Sequence, residues 1–550
     1  MPAPVVPREL YTAAQVRELD RLAIEQEGIP GIVLMRRAAT VLLRVLQRRW
    51  EGARRLVILA GTGNNGGDGY LLAVLASGEG MQVTVLEVGP VERIGGDALL
   101  ARQEALQAGV DCLAWDEQHL RHRTGTGATV LVDALLGTGF QGELRPAHAQ
   151  TIAGINHLYQ RGVPVLAVDI PSGLNSDTGV AAVPSVHAHV TVTFIGLKRG
   201  LFTADGPEYA GDVVFSSLDV STTASVLTSA QAAVRRIDIH SVASLLPPRK
   251  LAAHKGNCGH VLVVGGDDGY GGAALMAAEA ACRAGAGTIS LVTRSSHVAP
   301  MLARRPEVMV KGMDALDAVS QKMLSDLVAS ASVVVLGPGL GRSPWSRQML
   351  SATLRCAGDR TPLVVDADGL NLLAEARAGA GGEAHPDDIT PGLRRQWVLT
   401  PHPGEAARLL GSTTAEVQHD RFAAVAQLQA RWGGVCLLKG LGSLLCYPAN
   451  QGNRDAVEDI CIDICTEGNP GMATGGMGDV LSGMTGAFIA QGLTLEDSLR
   501  LAVCVHGESA DLAAEQRGER GLLATDILEY MGTLINQQRR PRMLTGWSLD

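Results

Sequence analysis

The segment 474–483 has the composition of a phosphoryl-transfer site. It reads T-G-G-M-G-D-V-L-S-G, so Asp479 stands among four glycines and directly before an apolar helical pattern. Glycine lets backbone N–H groups approach a bound anion, and the N-terminus of a helix adds partial positive charge. A carboxylate in this position can take the proton from a hydroxyl that attacks a phosphoryl group. The alternative is an ordinary glycine-rich turn in which the aspartate caps a helix.

Further polar or glycine-rich segments of the second half nearly all follow predicted strands. They are H-K-G at 254–256, G-G-D-D-G-Y-G-G-A-A at 265–274, G-P-G-L-G at 337–341, D-A-D-G-L-N at 366–371, T-P-H-P-G-E at 400–405 and K-G-L-G-S at 439–443. Ligands of open α/β sheets bind beyond the carboxyl ends of the strands. We therefore expect one cleft to gather these segments together with Asp479.

Three loops of the first half form a second candidate site. The segment G-T-G-N-N-G-G-D-G at 61–69 lies between a predicted strand and a helical pattern, as a phosphate-binding loop does, but it lacks the lysine of a P-loop. The other two loops cover 133–143 and 169–174. Asp133 and Asp169 stand at strand ends, where an aspartate either caps a loop or belongs to a polar site.

The elements that position these loops are predicted from short apolar runs that alternate with helical patterns. This alternation predicts a parallel sheet covered on both faces in each half of the chain. The predicted strands are 56–60, 83–88, 129–132, 164–168 and 190–194 in the first half, and 261–264, 288–292, 333–336, 363–365, 398–400 and 435–438 in the second. A capping-box pattern at 12–15 predicts the start of a helix.

A change of composition near residues 216–250 indicates a domain boundary. Serine and threonine clusters and Pro247-Pro248 surround weakly patterned sequence. We therefore predict a domain at 1–218, a linker at 219–247 and a second domain at 248–550.

Composition excludes several classes of function. The net charge of −9 and the absence of a Lys/Arg block argue against nucleic-acid binding. No run approaches the length of a membrane helix, and no signal peptide is evident at the start. The nine cysteines include no C-x-x-C pair, and no histidine near Cys461 and Cys465 completes a zinc pattern. Buried thiols in a reducing, cytoplasmic compartment are the expectation.

The three loops of the first half together resemble the NAD(P)H-hydrate epimerase domain, over about residues 10–215. The resemblance implies a Rossmann-like domain in which Asp169 is the acid/base at the epimerising carbon. It implies that hydrated NADH or NADPH is held by Asp169 and by Asn64, Asn65, Gly66, Gly67, Asp68, Gly137, Thr138, Gly139, Phe140, Gln141, Gly142 and Glu143. It also implies a potassium ion held by Asn65, Asp133 and Ser172, whose oxygen atoms suit a hard cation. The alternatives are that Asp169 only fixes its loop and that the domain is a binding scaffold.

The second half resembles the ribokinase-like superfamily and, within it, the ADP-dependent NAD(P)H-hydrate dehydratase, over about residues 240–535. T-P-H-P-G-E and G-G-M-G-D-V-L-S-G together carry the resemblance. It implies that the hydrate is held by Ala274, Gly339, His402 and Asp479, and the adenine nucleotide by Lys439, Gly440, Leu441, Gly442, Ser443 and Gly478. Asp479 would deprotonate the C6 hydroxyl as it attacks the terminal phosphoryl group, with Mg²⁺ bridging phosphate oxygens.

Two positions depart from the family pattern. The stretch 447–467 is longer than the usual connection between these motifs and contains Asp455, Glu458, Asp459 and Asp463, which predicts an extended hairpin or a surface flap. Leu441 stands where smaller residues are common. Separately, His402 has the alternative of capping a loop, and Lys439 that of a surface residue.

The function expected is that of a fused, homo-oligomeric enzyme that repairs hydrated nicotinamide nucleotides. The first domain would equilibrate the R and S epimers at C6, and the second would dehydrate the S form with ADP, giving AMP and phosphate. The preference for NADH or NADPH hydrate stays open, and ADP rather than ATP rests on the resemblance alone. The alternative function is a ribokinase-like small-molecule kinase with a non-catalytic N-terminal binding domain.

Overall fold

The computed structural model describes residues 7–124, 128–220, 234–377, 396–449 and 460–536. The chain divides into two compact units, Met1–Arg235 and Arg236–Asp550. Of the helices in the described ranges, none is both long enough and apolar enough to cross a membrane.

The N-terminal unit alternates strands and helices. Its strands are β1 (Glu9–Tyr11), β2 (Arg55–Ala60), β3 (Gln82–Glu87), β4 (Asp111–Ala114), β5 (Thr129–Ala134), β6 (Val165–Val168), β7 (Val190–Phe194), β8 (Leu197–Lys198) and β9 (Asp212–Ser216). Its helices are α1 (Ala13–Glu25), α2 (Gly31–Arg49), α3 (Asn64–Gly78), α4 (Gly96–Gln107), α5 (Glu117–Arg123), α6 (Pro146–Gln160) and α7 (Gly206–Ala210), with 3₁₀ turns at Val91–Arg93 and Arg199–Phe202. The boundary between the two units falls within β10 (Val234–Ile237).

The main sheet of this unit is parallel, with the strand order β4-β3-β2-β5-β6-β7-β9. All five predicted strands are present. Along β2, Leu56 and Ile58 pack into one apolar cluster and Val57 and Leu59 into another. Because successive side chains of a strand point to opposite faces, the sheet is covered on both sides, as predicted.

The sequence interpretation is wrong about where α3 begins. The predicted loop 61–69 ends at Gly63, and Asn64–Asp68 form the first helical residues. The reason is a close approach: a Cβ at Gly66 would lie 2.1 Å from the carbonyl oxygen of Gly61, so the helix can start directly against the end of β2 only with glycine there. The capping box at the start of α1 is confirmed, since the Thr12 and Gln15 side chains and backbone N–H groups bond reciprocally.

The C-terminal unit repeats the alternation with a longer sheet. Its strands are β11 (His260–Val264), β12 (Thr288–Thr293), β13 (Met309–Gly312), β14 (Val333–Leu336), β15 (Leu363–Val365), β16 (Trp397–Leu399), β17 (Val435–Leu438), β18 (Ser443–Pro448) and β19 (Ile460–Cys465). Its helices are α8 (Ile239–Val242), α9 (Gly271–Arg283), α10 (Val298–Arg304), α11 (Ala318–Ser330), α12 (Pro344–Ala357), α13 (Asp368–Arg377), α14 (Pro403–Leu410), α15 (Thr414–His419), α16 (Arg421–Trp432), α17 (Met477–Ala490), α18 (Leu495–Arg517) and α19 (Leu528–Ile535). The 3₁₀ turns are Ala243–Leu245, Lys255–Cys258, Ser295–His297 and Pro470–Met472.

Within this unit the strands run β13-β12-β11-β14-β15-β16-β17-β18-β19. The pairs from β13 to β17 are parallel, and β17, β18 and β19 pair antiparallel. All six predicted strands are present. Since the strands from β11 to β17 are parallel, the loops that follow them lie along one edge of the sheet.

The long 447–467 segment includes the end of β18 and all of β19, which pair antiparallel as expected for a hairpin. Asp455, Glu458 and Asp459 lie outside the described residues. Asp463 does not belong to a surface flap: it is fully buried, accepts a hydrogen bond from the Tyr447 hydroxyl at 2.9 Å and pairs with Arg500.

The predicted linker 219–247 contains ordered elements. Residues 221–233 lie outside the described part of the chain, but β10 and α8 follow them directly. Ile237, Ile239 and Val242 are buried in the apolar core of the C-terminal unit. The weak periodicity of this stretch reflects its short elements rather than a lack of packing.

A glycine-to-alanine change at Gly483 should destabilise the protein. A Cβ there would lie 2.0 Å from the carbonyl oxygen of Ala277, because α17 packs backbone to backbone against α9. Overpacking of this kind costs about 1–3 kcal/mol, which urea unfolding of the full chain would measure. Gly532→Ala is the matched control, because a Cβ at that helical position has no neighbour within 4 Å. Equal stability of the two variants would contradict the close contact.

Candidate active sites

A cavity of about 680 Å³ in the N-terminal unit holds most of the residues that the sequence predicted for a nucleotide site. Ligand pockets are commonly of this size. The predicted residues that line it are Asn64, Asn65, Asp68, Gly137, Thr138, Gly139, Phe140, Gln141, Glu143 and Asp169. They come from the start of α3, which follows β2, and from the loops after β5 and β6. These three strands are neighbours in the sheet.

Other predicted residues support the cavity rather than line it. Gly66 and Gly67 are needed for packing: a Cβ at Gly67 would lie 2.6 Å from the sulfur of Met35. Gly142 has a φ of +80°, a backbone conformation that glycine adopts without strain. Gly66 and Gly67 therefore permit the close packing of α3, and Gly142 permits the turn of its loop, while none of the three lines the cavity.

Asp133, Ser172 and Asn65 form a polar cluster next to the cavity, and Asn65 itself lines it. Asp133 is completely buried and accepts hydrogen bonds from the Ser172 backbone N at 2.7 Å and the Ser172 hydroxyl at 2.6 Å. Asn65 donates to the carbonyl of Leu136 at 3.1 Å, and the Ser172 hydroxyl oxygen accepts from the Leu136 N–H. Burial raises the pKa of Asp133 to about 6. The three predicted metal ligands are thus brought together.

Asp169 faces the cavity beside a lysine that the sequence reasoning missed. Asp169 directly follows β6 and has a φ of +66°, which is uncommon for a residue other than glycine. Its carboxylate accepts hydrogen bonds from the Thr193 hydroxyl and the Phe194 N–H, each at 3.2 Å, and pairs with Lys198. Lys198 is 1% exposed and also donates to Thr193 and to the Phe194 carbonyl.

Two further carboxyl groups share the cavity with Asp169. Asp20, which the sequence reasoning missed, projects from α1. Burial raises its pKa to about 6, with Lys198 opposing the shift and Asp169 adding to it. Burial, together with the charges of Asp169 and Asp20, raises the pKa of Asp68 well above its usual value. Burial thus favours the protonated forms of Asp20 and Asp68.

In the C-terminal unit, Asp479 lies in the first turn of α17. The helix begins after Gly476, whose φ of +95° turns the chain into it. Burial and then the carboxylate of Asp366 raise the pKa of Asp479 to about 7, while Lys439 opposes the shift. A carboxyl group tuned to neutral pH suits general base catalysis.

Lys439 and Asp366 stand against this helix terminus. The Lys439 amine lies 2.8 Å from one oxygen of Asp366, and a Cβ at Gly478 would lie 3.1 Å from the same amine. Burial lowers the pKa of Lys439, but Asp366, Glu405 and Asp479 outweigh it and the net shift is upward. Lys439 is therefore no ordinary surface residue.

Asp366 belongs to the D-A-D-G-L-N motif but is not among the site residues predicted from sequence. It is 1% exposed, and its second oxygen has no hydrogen-bond partner among the described residues. A Cβ at Gly478 would lie 3.2 Å from that oxygen, so it is directed towards the start of α17. An unpartnered buried carboxylate oxygen is costly unless a cation or donor satisfies it.

His402 caps α14, as the alternative interpretation proposed. Its Nδ1 accepts from the Gly404 N–H at 3.0 Å, and Glu405 accepts from the His402 N–H at 2.8 Å. Burial, Lys439 and Arg408 lower the pKa of His402. The ring is therefore neutral, with its proton on Nε2, and its side chain is still 51% exposed.

Arg421, another residue that the sequence reasoning missed, hydrogen-bonds to the backbone of the K-G-L-G-S loop after β17. Arg421 is 1% exposed and donates to the carbonyls of Leu438, Lys439 and Gly442, each at 3.3 Å. Ser443 closes the loop by donating from its hydroxyl to the Gly440 carbonyl at 3.0 Å. The Leu441 side chain is 52% exposed, so the loop presents an apolar surface to its surroundings.

Ala274 and Gly339 lie in adjoining segments but are buried. A Cβ at Gly339 would lie 2.3 Å from the Tyr270 carbonyl oxygen, and Asp267 N–H donates to the Gly339 carbonyl at 2.8 Å. The 337–341 loop also adjoins Asp366, since a Cβ at Gly337 would lie 1.9 Å from the Asp366 carbonyl. One edge of the sheet thus gathers the predicted segments that follow strands, although Ala274 is fully buried. The expectation is wrong for 254–256, which precedes β11 and lies against Gly287 at the amino ends of the strands.

Comparisons with known proteins match both halves of the chain. A family model described as the YjeF-related protein N-terminus matches residues 31–200, and one described as NAD(P)H-hydrate dehydratase matches residues 261–532. A bifunctional NAD(P)H-hydrate repair enzyme from Coxiella burnetii is 43% identical over 527 residues, which cover 96% of this chain and 99% of the relative. The enzyme of the same name from Escherichia coli is 37% identical, over 97% and 95% of the two chains.

A third relative, the bifunctional NAD(P)H-hydrate repair enzyme of Leishmania braziliensis, is 39% identical over 97% of this chain and 94% of its own. Among solved structures, the ADP/ATP-dependent NAD(P)H-hydrate dehydratase of Bacillus subtilis, co-crystallised with ATP and Mg²⁺, has a TM-score of 0.45 and 25% identity, covering 54% of this chain and 96% of that one. Fold and sites define an α/β enzyme with a Rossmann-like and a ribokinase-like domain. The chain belongs to the family of bifunctional NAD(P)H-hydrate repair enzymes.

Proposed function

We propose that this chain restores hydrated nicotinamide cofactors through two activities. The N-terminal unit interconverts the R and S epimers of NADH or NADPH hydrate at C6. The C-terminal unit converts the S epimer back to NADH or NADPH and splits ADP into AMP and phosphate. The observation that carries the proposal is the position of Asp479, which stands at a helix N-terminus beside Lys439 and Asp366.

In the dehydration step, Asp479 accepts the proton of the C6 hydroxyl while the hydroxyl oxygen attacks the β-phosphoryl group of ADP. AMP departs, and Lys439 and the N–H groups at the start of α17 stabilise the charge on the transferred phosphoryl group. The C6–O bond then breaks, because phosphate is a far better leaving group than hydroxide. The ring nitrogen supplies the electron pair, and loss of a proton from C5 restores the double bond.

The nucleotide is proposed to lie along the K-G-L-G-S loop. Arg421 donates to three carbonyls of the loop and so fixes the backbone beside the place proposed for the nucleotide. The exposed Leu441 supplies an apolar contact for the adenine ring. His402, with its proton on Nε2, is proposed to donate a hydrogen bond to the hydrate.

Mg²⁺ is proposed to accompany ADP. The unpartnered buried oxygen of Asp366 fits a hard cation, directly or through water, next to the place proposed for the phosphates. The ion would neutralise charge on the phosphate oxygens during transfer. Lys439 pairs with the other oxygen of Asp366 in the same arrangement.

Epimerisation at C6 is proposed to pass through loss and return of water. A carboxylic acid protonates the C6 hydroxyl, the ring nitrogen expels water, and water adds to the opposite face of the planar carbon. Asp68, whose pKa is raised, suits the role of proton donor, and Asp169 the role of proton acceptor. Lys198 positions the Asp169 carboxylate through their ion pair.

Potassium is proposed to bind at Asn65, Asp133 and Ser172. Asp133 is a fully buried carboxylate, and its hydrogen bonds within the described part of the chain come from uncharged donors. A cation with oxygen ligands would compensate this buried charge. The ion would fix the loops after β5 and β6, which carry cavity residues.

Removal of potassium should therefore slow epimerisation and lower the melting temperature of the full chain. A ligand that binds the folded state stabilises it in proportion to the logarithm of its concentration. The measurement is thermal unfolding and epimer exchange at increasing KCl, with tetramethylammonium chloride at equal ionic strength. Asp133→Asn should lose the potassium-specific response. An identical response to both salts would contradict a potassium site.

The dehydratase should show an acid limb near pH 7 in kcat/KM. Asp479 accepts a proton only when ionised, and its pKa is raised to about 7, so activity falls as the pH drops below that value. Asp368→Asn removes a charge that raises this pKa, so the limb should move to lower pH. Asp326→Asn, at an exposed residue paired with Lys322, should leave the limb unchanged. A limb that Asp368→Asn does not move would contradict the assignment.

The fate of phosphate tests the proposal against the kinase alternative. Phosphorus NMR of a reaction with ADP, Mg²⁺ and hydrate should show AMP and free phosphate in equal amounts. A stable phosphorylated product, with phosphate kept on the substrate, would contradict dehydration and support a kinase.

Domain limits, compartment and assembly are further proposals. We propose that the epimerase domain covers about 1–218 and the dehydratase domain 248–550, with 234–247 packing as part of the latter. All nine cysteines are free thiols, which supports a reducing compartment such as the cytoplasm. A homo-oligomer is expected from the resemblance, and light scattering would measure it.

A further inference from the structure

Cys465, Glu467 and Cys504 form a group of side chains in the C-terminal unit, named here the thiol cluster, that the repair reaction does not use. Cys465 ends β19, Glu467 follows two residues later, and Cys504 lies in the middle of α18. We propose that the thiol cluster binds one divalent metal ion of the zinc type, through both thiolates and the Glu467 carboxylate.

The spacing of the ligand atoms suits such an ion. One atom from each side chain lies within 4.8 Å of the others. The two sulfur atoms are 3.8 Å apart, and the Cys465 sulfur is 3.8 Å from an oxygen of Glu467. Tetrahedral zinc with bonds of about 2.3 Å to sulfur and 2.1 Å to oxygen separates its ligands by about 3.6–3.8 Å. Two of the three distances between ligand atoms therefore match those that a shared ion requires, and the third is within 4.8 Å.

The surroundings of the cluster are acidic. Cys465 is 1% exposed and Cys504 is fully buried. Glu467 accepts a hydrogen bond from the Ile239 N–H at 2.7 Å, and within the described residues it forms no ion pair with lysine or arginine. Glu508 and Asp238 add further negative charge nearby. A cation would compensate a carboxylate that protein groups leave uncompensated.

Soft thiolates select metals of the zinc type over the magnesium that serves the nucleotide. Thiolate ligands prefer zinc and similar ions, whereas magnesium takes oxygen ligands almost exclusively. Two cysteines and one glutamate fill three of the four positions of a tetrahedral ion. Water can take the fourth position, because Glu467 is partly exposed. Binding would release the two thiol protons to solvent.

The ion would join two elements that hold the segment before Asp479. Beyond Glu467, the Gly468 N–H and the Asn469 side chain both donate to Asp511 of α18 at 2.8 Å. On the same helix, His506 Nε2 lies 2.9 Å from the carbonyl oxygen of Met477, the first residue of α17. The thiol cluster therefore adds a third link between α18 and the chain that leads to Asp479, and the ion would stabilise that link.

Cobalt(II) titration of the full chain tests the proposal directly. The reduced protein is treated with EDTA, desalted and titrated with CoCl₂ alone. We expect one equivalent to produce the charge-transfer band of a thiolate–cobalt bond, which ZnCl₂ then abolishes by replacing cobalt. Oxygen-ligand sites, including any magnesium site, give no such band. Wild-type protein without the band would overturn the proposal, whatever the behaviour of variants.

Variants assign the band to the thiol cluster. Cys504→Ser and Glu467→Gln should weaken cobalt binding by about 100-fold or more, since loss of outer-sphere partners alone costs 10–100-fold. The matched control is Cys436→Ala with Cys446→Ala, a buried pair directly opposite each other on β17 and β18. Its band should equal that of wild type. Circular dichroism of each variant reports whether it has folded.

Several outcomes distinguish a bound metal ion from thiols that are only hydrogen-bonded or are joined as a disulfide. A band that persists in Cys504→Ser, or that disappears in the β17–β18 control instead, would overturn the assignment. The contacts also fit a chain of S–H hydrogen bonds from Cys504 to Cys465 to Glu467, in which case no band forms. Loss of two titratable thiols without any metal would indicate a disulfide and would likewise overturn the proposal.

Discussion

Replacing Asp479 with asparagine should lower the kcat of hydrate dehydration by about 10²–10⁴-fold, the usual contribution of a general base. Asparagine keeps the shape of the side chain but cannot accept the hydroxyl proton. It also removes a negative charge beside Lys439 and Asp366, so the KM for ADP should not rise. Recovery of the near-ultraviolet absorbance of reduced nicotinamide measures the rate.

The same chain supplies the control for this variant. Epimer exchange in the N-terminal unit should continue at the wild-type rate in Asp479→Asn, which shows that the protein is folded. Loss of both activities would indicate a folding defect. Dehydration within tenfold of wild type would contradict the role of Asp479 as the base.

Asp169→Asn should slow epimerisation by about 10²–10⁴-fold and split hydrate consumption into two phases. The S epimer present at the start would be dehydrated at the normal rate, and the remainder only as fast as uncatalysed epimerisation supplies it. The asparagine oxygen can still accept from Phe194 N–H and Thr193, so the loop should keep its conformation.

Lys198→Met provides a second test of the same site. It removes the only positive charge that contacts the Asp169 carboxylate in the described residues. It should therefore slow epimerisation, because the Asp169 carboxylate loses the ion pair that positions it in the cavity. The control is Asp212→Asn, an exposed residue paired with Arg49, which should behave as wild type. For the Asp169→Asn variant, consumption of the mixed hydrate in a single phase would contradict the role of Asp169 in epimerisation.

The parallel sheets could be predicted from sequence because their central strands are buried on both faces. β14 and β17, for example, are continuous apolar runs with the predicted bounds. β7 also has its predicted bounds, and all five of its residues are buried although two are threonines. The edge strands β4 and β13 escaped prediction because their side chains are partly exposed and mixed. The start of α3 was misplaced because N-N-G-G-D has the composition of a loop. The helix can start there because Gly66, which has no Cβ, approaches the Gly61 carbonyl closely.

The site residues that could be predicted are those inside motifs, and the missed ones act from outside them. Lys198 follows Asp169 by 29 residues and meets it only because β7 and β8 return to the end of β6. Arg421 supports a loop from a helix whose sequence is otherwise ordinary. Cys465 and Cys504 are 39 residues apart, so no short Cys–Cys spacing indicates a metal site in the sequence. Contacts of this kind depend on the fold rather than on local sequence.

The most direct test follows wild-type protein as it consumes a mixed pool of R and S hydrate with limiting enzyme, excess ADP and Mg²⁺. The amount of reduced cofactor recovered is compared with the amounts of each epimer at the start. We predict recovery of the entire pool in one phase, with one AMP formed for each cofactor restored. Recovery that stops at the S fraction, or cofactor restored without AMP, would contradict a fused epimerase and ADP-dependent dehydratase.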